Sequence, residues 1–359
     1  MVESNLSLHE PALDFERTKS HRINILRKIR YRKSPHREFE SRLSFSQTDS
    51  PQSSSLSLEL LPIYGIRGKV PDAVISEQFA SLRDVIVSHV QKYYSAKPVN
   101  ASISQALVEH ASTGITLPWP QIISLLGESR TRLATLALCI SWTILSRSLL
   151  LKLGISNSPG STFLPPELVE CFQSFSLGKG AVTLGKDEPS SVNFALLSRW
   201  KQISATLLHS TYVENAFTHF DSRTVNIERA LQDLDPLLTA YALPHNAGHA
   251  TDARLVDLRD VLRQGAKFAF TLFGQPSFWK FDWKSDRAIA HGKAECQHDP
   301  EAFFDKNGEG ATEPAKLTAA EIVLWPKLLR VMDGEGAKTQ DTGDECPFGD
   351  KGYLDGFET

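Results

Sequence analysis

The sequence predicts an all-α protein: an irregular multi-helix bundle with disordered N- and C-terminal segments and one short strand near the C-terminus as an option. Three observations carry this. Between residues 60 and 275 almost every apolar segment recurs at steps of three and four, the period of a helix face, and few runs alternate as a strand would. Each such segment has one polar and one apolar side, so the helices must bury their stripes against one another. The ends are polar and lack a core pattern, so they cannot offset the entropy of ordering. No fixed repeat length is present, which argues against a regular solenoid.

The elements follow in order. ISEQFASLRDVIVSHVQKYY sets Ile75, Phe79, Leu82, Val85, Ile86, His89, Val90 and Tyr93 on one face. SISQALVEH is a shorter helix. A long one starts at Pro120, a residue suited to a first helical turn, is interruptible at Gly127 and stops at Gly154. LPPELVECFQSF opens the next with prolines. The helix SSVNFALLSRWKQISATLLHSTYV is expected to bury a stripe of Leu196, Trp200, Ile203 and Leu207, and the one after it Ile227, Leu231, Leu234, Leu238 and Tyr241. Pro236 should kink or divide that second helix. ARLVDLRDVLRQGAKFAFTLF is the last long helix, ending near Gly274 and Pro276. Beyond it, EIVLW is a short edge strand or part of a helix, and Pro326 rules out a central strand there. These readings divide the chain into a basic, Ser-rich disordered arm (1–60), a helical domain (61–290), a linker with a packing segment (291–332) and a disordered acidic tail (333–359).

Bulk properties limit the function. The 359 residues are 41% hydrophobic and 23% charged, enough for one good core with polar flanks. A net charge of −3 and a pI near 6.4 argue against polyanion binding by the chain as a whole. Cys139, Cys171, Cys296 and Cys346 are scattered without a CxxC pair, so no disulfide framework or zinc ribbon is expected, and a reducing intracellular setting, cytoplasmic or nuclear, fits best. The first residues are acidic and lack an apolar run, unlike a secretory or transit leader. LATLALCISWTIL gives an apolar run of about 14 residues, short of the roughly 20 that a spanning helix needs. It reads as a buried core helix.

Several motifs fall short of the chemistry they suggest. GAVTLGKD, Gly180 to Asp187, has the glycines and lysine of a phosphate loop. A helical segment precedes it where a strand is needed, and Asp187 stands where a hydroxyl should meet magnesium. His245 and His249 have metal-helix spacing, with Asp252 as a third donor, but Pro244 and Gly248 make the segment a loop. The acids from Asp341 to Asp355 lack the ligand order of a calcium loop. No cofactor and no metal is therefore expected, and no catalytic residue can be assigned.

Two features remain as candidate interaction sites. In RTKSHRINILRKIRYRKSPHR, residues 17–37, the cations Arg27, Lys28, Arg30, Arg32 and Lys33 cluster among isoleucines and a leucine. Such a run can serve import, touch nucleic acid or meet an acidic membrane surface, or it can be a solvated arm. FAFTLFGQPSFWKFDW is dense in rings in a chain that is 9% aromatic. The alternation in SFWKFDW suits an extended segment that closes one end of the bundle. Phe278, Trp279 and Trp283 could alternatively anchor a partner.

The ordered set LRDVIVSHVQKYY, LLGESRTRLATLALCISWTILSR, FLPPELVECFQSF, LLSRWKQISATLL, FAFTLFGQPSFWKFDW and LWPKLLRVMDGEG resembles a large group of helical proteins of filamentous fungi. The resemblance covers roughly residues 72–335 and implies an intracellular helical domain with variable ends. It brings no activity, substrate or catalytic residue. The function expected from all this is a non-enzymatic helical interaction or scaffold protein whose partner is a protein. The alternatives are an enzyme or accessory factor with a small-molecule pocket rimmed by Trp200, Phe273 and Trp279, and a transcription-related nuclear protein. Oligomeric state is open.

Overall fold

Helix α1 (Asp72–Tyr93) buries Ile75, Phe79, Leu82, Ile86, His89, Val90 and Tyr93, the face its spacing predicts. The structure is a computed structural model, and it describes residues 65–97, 104–115, 117–150, 162–175, 194–243, 250–290, 317–334 and 347–357. These fall within one unit, Pro62–Thr359. After α1 come α2 (Gln105–Ala111), α3 (Trp119–Gly127), α4 (Arg132–Ser146), α5 (Pro166–Ser174), α6 (Phe194–Leu207), α7 (Arg223–Thr239) and α8 (Ala250–Gly274). A π-helical turn, Ser210–Glu214, sits between α6 and α7, and a short α9 (Asp286–Ala290) follows strand β1 (Phe278–Asp282). The fold is mostly helical, as expected.

The long helix after Pro120 is two helices. Residues 128–131 break it, and side chains cap the break. Thr131 Oγ1 donates to the Leu125 carbonyl at 2.6 Å, Arg132 Nε to Leu126 at 2.7 Å and Arg132 Nη2 to Gly127 at 2.9 Å. The last carbonyls of α3 thus find donors where the helix has none to offer. The second piece, α4, is buried from Arg132 to Leu145 on every face. An all-round apolar helix belongs at the centre of a bundle, and at 15 residues it does not reach across a bilayer. Among the described residues no helix is long and apolar enough to cross a membrane. The expected stop at Gly154 comes early: α4 ends at Ser146, and Gly154 lies outside the described residues.

Pro236 does not divide α7, which continues to Thr239. Proline costs the helix one hydrogen bond, to the carbonyl of Gln232. Both residues are on the exposed side, so the freed carbonyl is not left buried without a donor.

Helices α4 and α8 cross closely at Gly265. A Cβ there would lie 2.4 Å from Ile144 Cγ2 and 3.4 Å from Ile144 Cβ, so only glycine permits this approach. Gly265→Val should therefore destabilise the fold by about 2–3 kcal/mol, because overpacking outweighs the few tenths gained in helix propensity. Urea unfolding would report it as a lower midpoint at unchanged slope.

The aromatic segment after α8 closes the bundle. Strand β1 pairs antiparallel with β3 (Lys327–Met332), which also pairs with β4 (Pro347–Phe348). A second ribbon joins β2 (Val323–Trp325) to β5 (Gly352–Tyr353). EIVLW is thus the short strand, and Pro326 falls between β2 and β3, outside both ladders. Phe79 of α1 is the hub, with ring centroids 5.5 Å from Phe268, 5.9 Å from Phe281 and 4.7 Å from Trp325. The in–out alternation of SFWKFDW fails at its start. Register shifts between Phe278 and Trp279, and such a bulge lets both consecutive rings face inward.

Within the tail expected to be disordered, residues 347–357 are folded. Phe348 packs edge-on against Trp279 at 5.0 Å, and Leu354 is buried. Arg287 meets Asp355 at 2.9 Å, and Lys351 meets Asp282 at 2.7 Å. Composition showed the acids and the lysine of this tail but not the sheet edge, the Arg287 guanidinium and the Asp282 carboxylate that receive them.

Candidate functional site

Helix α6 carries its polar residues inward. Phe194, Leu197, Ser198 and Lys201 form the buried face. The stripe expected to be core points the other way: Leu196 is 60% exposed, Ile203 37% and Leu207 77%, with Trp200 half-buried. The cause is local. The helix has two apolar stripes, and Phe194 is the residue that meets Phe278 edge-on at 5.3 Å. Once that ring is docked on β1, Leu197 and Lys201 follow it inward by helical spacing.

Lys201 then sits where an amine is expensive. Its Nζ donates to the Ser277 carbonyl at 2.7 Å and lies 4.1 Å over the Phe278 ring. Among the described residues no carboxylate pairs with it, and burial draws its pKa from 10.5 down to about 7. Lys351 shows the contrast. Burial pulls its pKa down too, but hydrogen bonds to Asp282 and Asp286 outweigh that and leave it raised. Beside Lys201 is a cavity of about 20 Å³, lined by Ser148, Leu149, Leu150, Leu272, Phe273, Phe278 and Trp279. The Trp279 indole N–H and the Ser198 hydroxyl, both buried, have no hydrogen-bond partner.

The pocket anticipated among Trp200, Phe273 and Trp279 is filled by those rings. Trp200 packs edge-on against Phe273 at 5.8 Å, and the remaining cavity admits one water-sized particle.

A second concavity, open and about 460 Å³, lies between α1 and α8 and is lined by Glu77, Ser81, Asp84, Ser88 and Asp257. Beneath it runs a hydrogen-bonded chain. His89 Nδ1 stands 2.6 Å from Asp257 Oδ2, and His89 Nε2 3.2 Å from the Tyr94 hydroxyl, which accepts from Arg254 at 3.3 Å. Burial raises the Tyr94 pKa to about 12 and lowers that of His89. The tyrosine therefore keeps its proton and donates to neutral His89, which donates to Asp257. His89 forms part of the floor of the concavity and Tyr94 is buried behind it, and the chain ties the end of α1 to α8. Tyr94→Phe should cost about 1–2 kcal/mol by leaving His89 Nε2 without a donor. Thermal unfolding would show it.

The sequence candidates fare unequally. Phe278 and Trp279 are buried in the core and unavailable as surface anchors, because the bulge turns both inward. Trp283 is half-buried, 5.0 Å edge-on from Trp142. Arg27, Lys28, Arg30, Arg32 and Lys33 lie outside the described residues, as do the Gly180–Asp187 loop, His245 and His249. Cys139 is buried with its thiol pKa pushed up to about 12, hence unreactive. Among the described residues no three His, Cys, Asp or Glu side chains gather as a metal site.

Lys201 is the residue that reading by periodicity missed. The available signal was the second stripe, Phe194, Leu197 and Leu208, which passes through a lysine.

Fold and site define a helical protein closed by a small aromatic-rich sheet, with a buried amine on one side of α6 and an apolar stripe on the other. No family model, curated protein or solved structure matches the chain.

Proposed function

We propose that this is a non-enzymatic interaction protein that acts inside the cell and presents α6 to an amphipathic helix of a protein partner. The supporting observation is the outward stripe of α6. Leu196, Ile203 and Leu207 step by seven and four along one exposed face, the spacing of a seam that receives another helix, while Trp200 between them packs back on Phe172, Phe175 and Phe273. The reading rests on Ile203 and Leu207, whose exposure is costly in a helix that has a polar alternative, and Val213 just beyond adds 47% exposed apolar surface. The cationic arm around Arg27 to Lys33 contributes a targeting or docking element, on its charge alone.

The test is affinity purification of the tagged full chain from the cells that make it, beside Ile203→Gln/Leu207→Gln and a Val256→Gln control on α8. Exposed substitutions of this kind change stability by about 0.5 kcal/mol or less, so all three should melt together. A stoichiometric partner should accompany the wild type and the control and be lost from the double variant. Retention of the same partner by the double variant would refute the assignment.

A further inference from the structure

We propose that the cavity beside Lys201 binds one small inorganic anion of halide size, chloride being the abundant member of that class, with the Lys201 ammonium and the Trp279 indole N–H as its donors. The inference goes beyond partner binding and does not depend on it.

The cavity wall is unbalanced in one direction. Lys201 is 3% exposed and spends one of its three N–H donors on the Ser277 carbonyl. Trp279 lines the same cavity, is 5% exposed, can only donate, and its Nε1–H has no partner. Ser148 gives its proton to the Ile144 carbonyl at 2.7 Å, so its oxygen is one neutral acceptor on this wall, too few to match the N–H donors of Lys201 and Trp279 and without charge to offset the ammonium. The remaining wall of Leu149, Leu150, Leu272, Phe273 and Phe278 is apolar. Among the described residues no carboxylate faces the amine. Buried charges are paired or costly, and buried donors are normally satisfied, so the missing component is an acceptor carrying negative charge.

Size selects the class. A volume of about 20 Å³ is small and favours a monatomic anion or a water over phosphate, sulfate, carboxylates and nucleotides. A water would accept from Trp279 but would leave the ammonium uncompensated. An anion meets both needs.

The pH dependence follows from the elements around the amine. The turn after α4, the end of α8 and strand β1 bring no titratable side chain to the cavity wall. Arg330 of β3 stacks over Trp279 at 5.2 Å and is held by Asp72 at 2.5 Å. Lys201 is thus the group that titrates there. An anion binds its charged form, so the effect should be largest below pH 7 and fade above it.

The experiment is thermal unfolding of the purified full chain at pH 6 and at pH 9, with ionic strength held constant while sodium gluconate is exchanged for sodium chloride or bromide. Binding to the folded state alone should raise Tm with halide concentration and saturate at pH 6, with a smaller rise at pH 9. Lys201→Met and Trp279→Phe should each lose the halide-specific rise. Broadening of the chloride-35 NMR line by the wild type, absent with Lys201→Met, gives a readout that does not rely on Trp279→Phe folding. Equal melting of the wild type in gluconate and halide would overturn the proposal and leave water as the occupant. A halide effect surviving in Lys201→Met would overturn it as well.

Discussion

Replacing Arg223 with methionine is expected to cost about 3–5 kcal/mol of stability. Arg223 is fully buried and fixes a carboxylate that is buried with it. Its Nε donates to Asp221 Oδ1 at 3.0 Å and its Nη2 to Oδ2 at 2.7 Å. Two further bonds reach the carbonyls of Ala266 at 3.1 Å and Tyr212 at 2.8 Å, so one guanidinium ties α7 to α8 and to the π-helical turn. Asp221 in turn accepts from the Phe217 N–H at 2.8 Å and holds that residue at a φ of +63°. Methionine keeps the volume but leaves Asp221 charged, buried and facing no cation. Lysine should not rescue it, because one ammonium cannot reproduce the forked geometry. Adding Asp221→Leu to Arg223→Met should recover much of the loss. A double-mutant cycle in guanidinium chloride would measure this, and strict additivity of the two losses would contradict the coupling.

Lys201→Met should do the reverse and stabilise the protein, by about 3–4 kcal/mol at pH 7 in chloride-free buffer. The folded pKa of about 7 lies below the ordinary value of 10.5, so between these pH values the unfolded chain holds a proton that the folded chain has given up. Stability of the wild type should rise with pH across that window and be lowest at and below pH 7. At about 1.4 kcal/mol per pKa unit the ceiling is about 5 kcal/mol, and the carbonyl of Ser277 and the ring of Phe278 offset part of it. Methionine fills the same space without a charge. Unfolding free energies at pH 6.5 and 10 should show a positive slope for wild type that the variant lacks. Parallel slopes would mean that the amine is hydrated in the folded protein.

Much of the fold was legible because its determinants are local. The stripe of α1, the prolines that open α5 and the largely apolar α4 each follow from residues within one segment. What was not legible depends on residues far apart. The break before α4 is sealed by Arg132, whose guanidinium also reaches the carbonyl of Ala96 at 2.6 Å. The order in 347–357 depends on Trp279, Arg287 and Asp282, which composition of the tail cannot show. Helix α6 was read inside out because two of its faces are apolar, and only the position of Phe278 decides between them. The candidate site lies on that ambiguity, so sequence alone placed its outward stripe in the core and gave no sign of its buried amine.

The most direct measurement of the account is hydroxyl-radical footprinting of the purified chain alone and of the complex it forms with a captured partner, read by mass spectrometry at side-chain resolution. Ile203 and Leu207 should be modified rapidly in the isolated protein and protected in the complex, with Leu197 protected in both and Val256 unchanged. Protection of Ile203 and Leu207 in the isolated chain, or no change on complex formation, would contradict it.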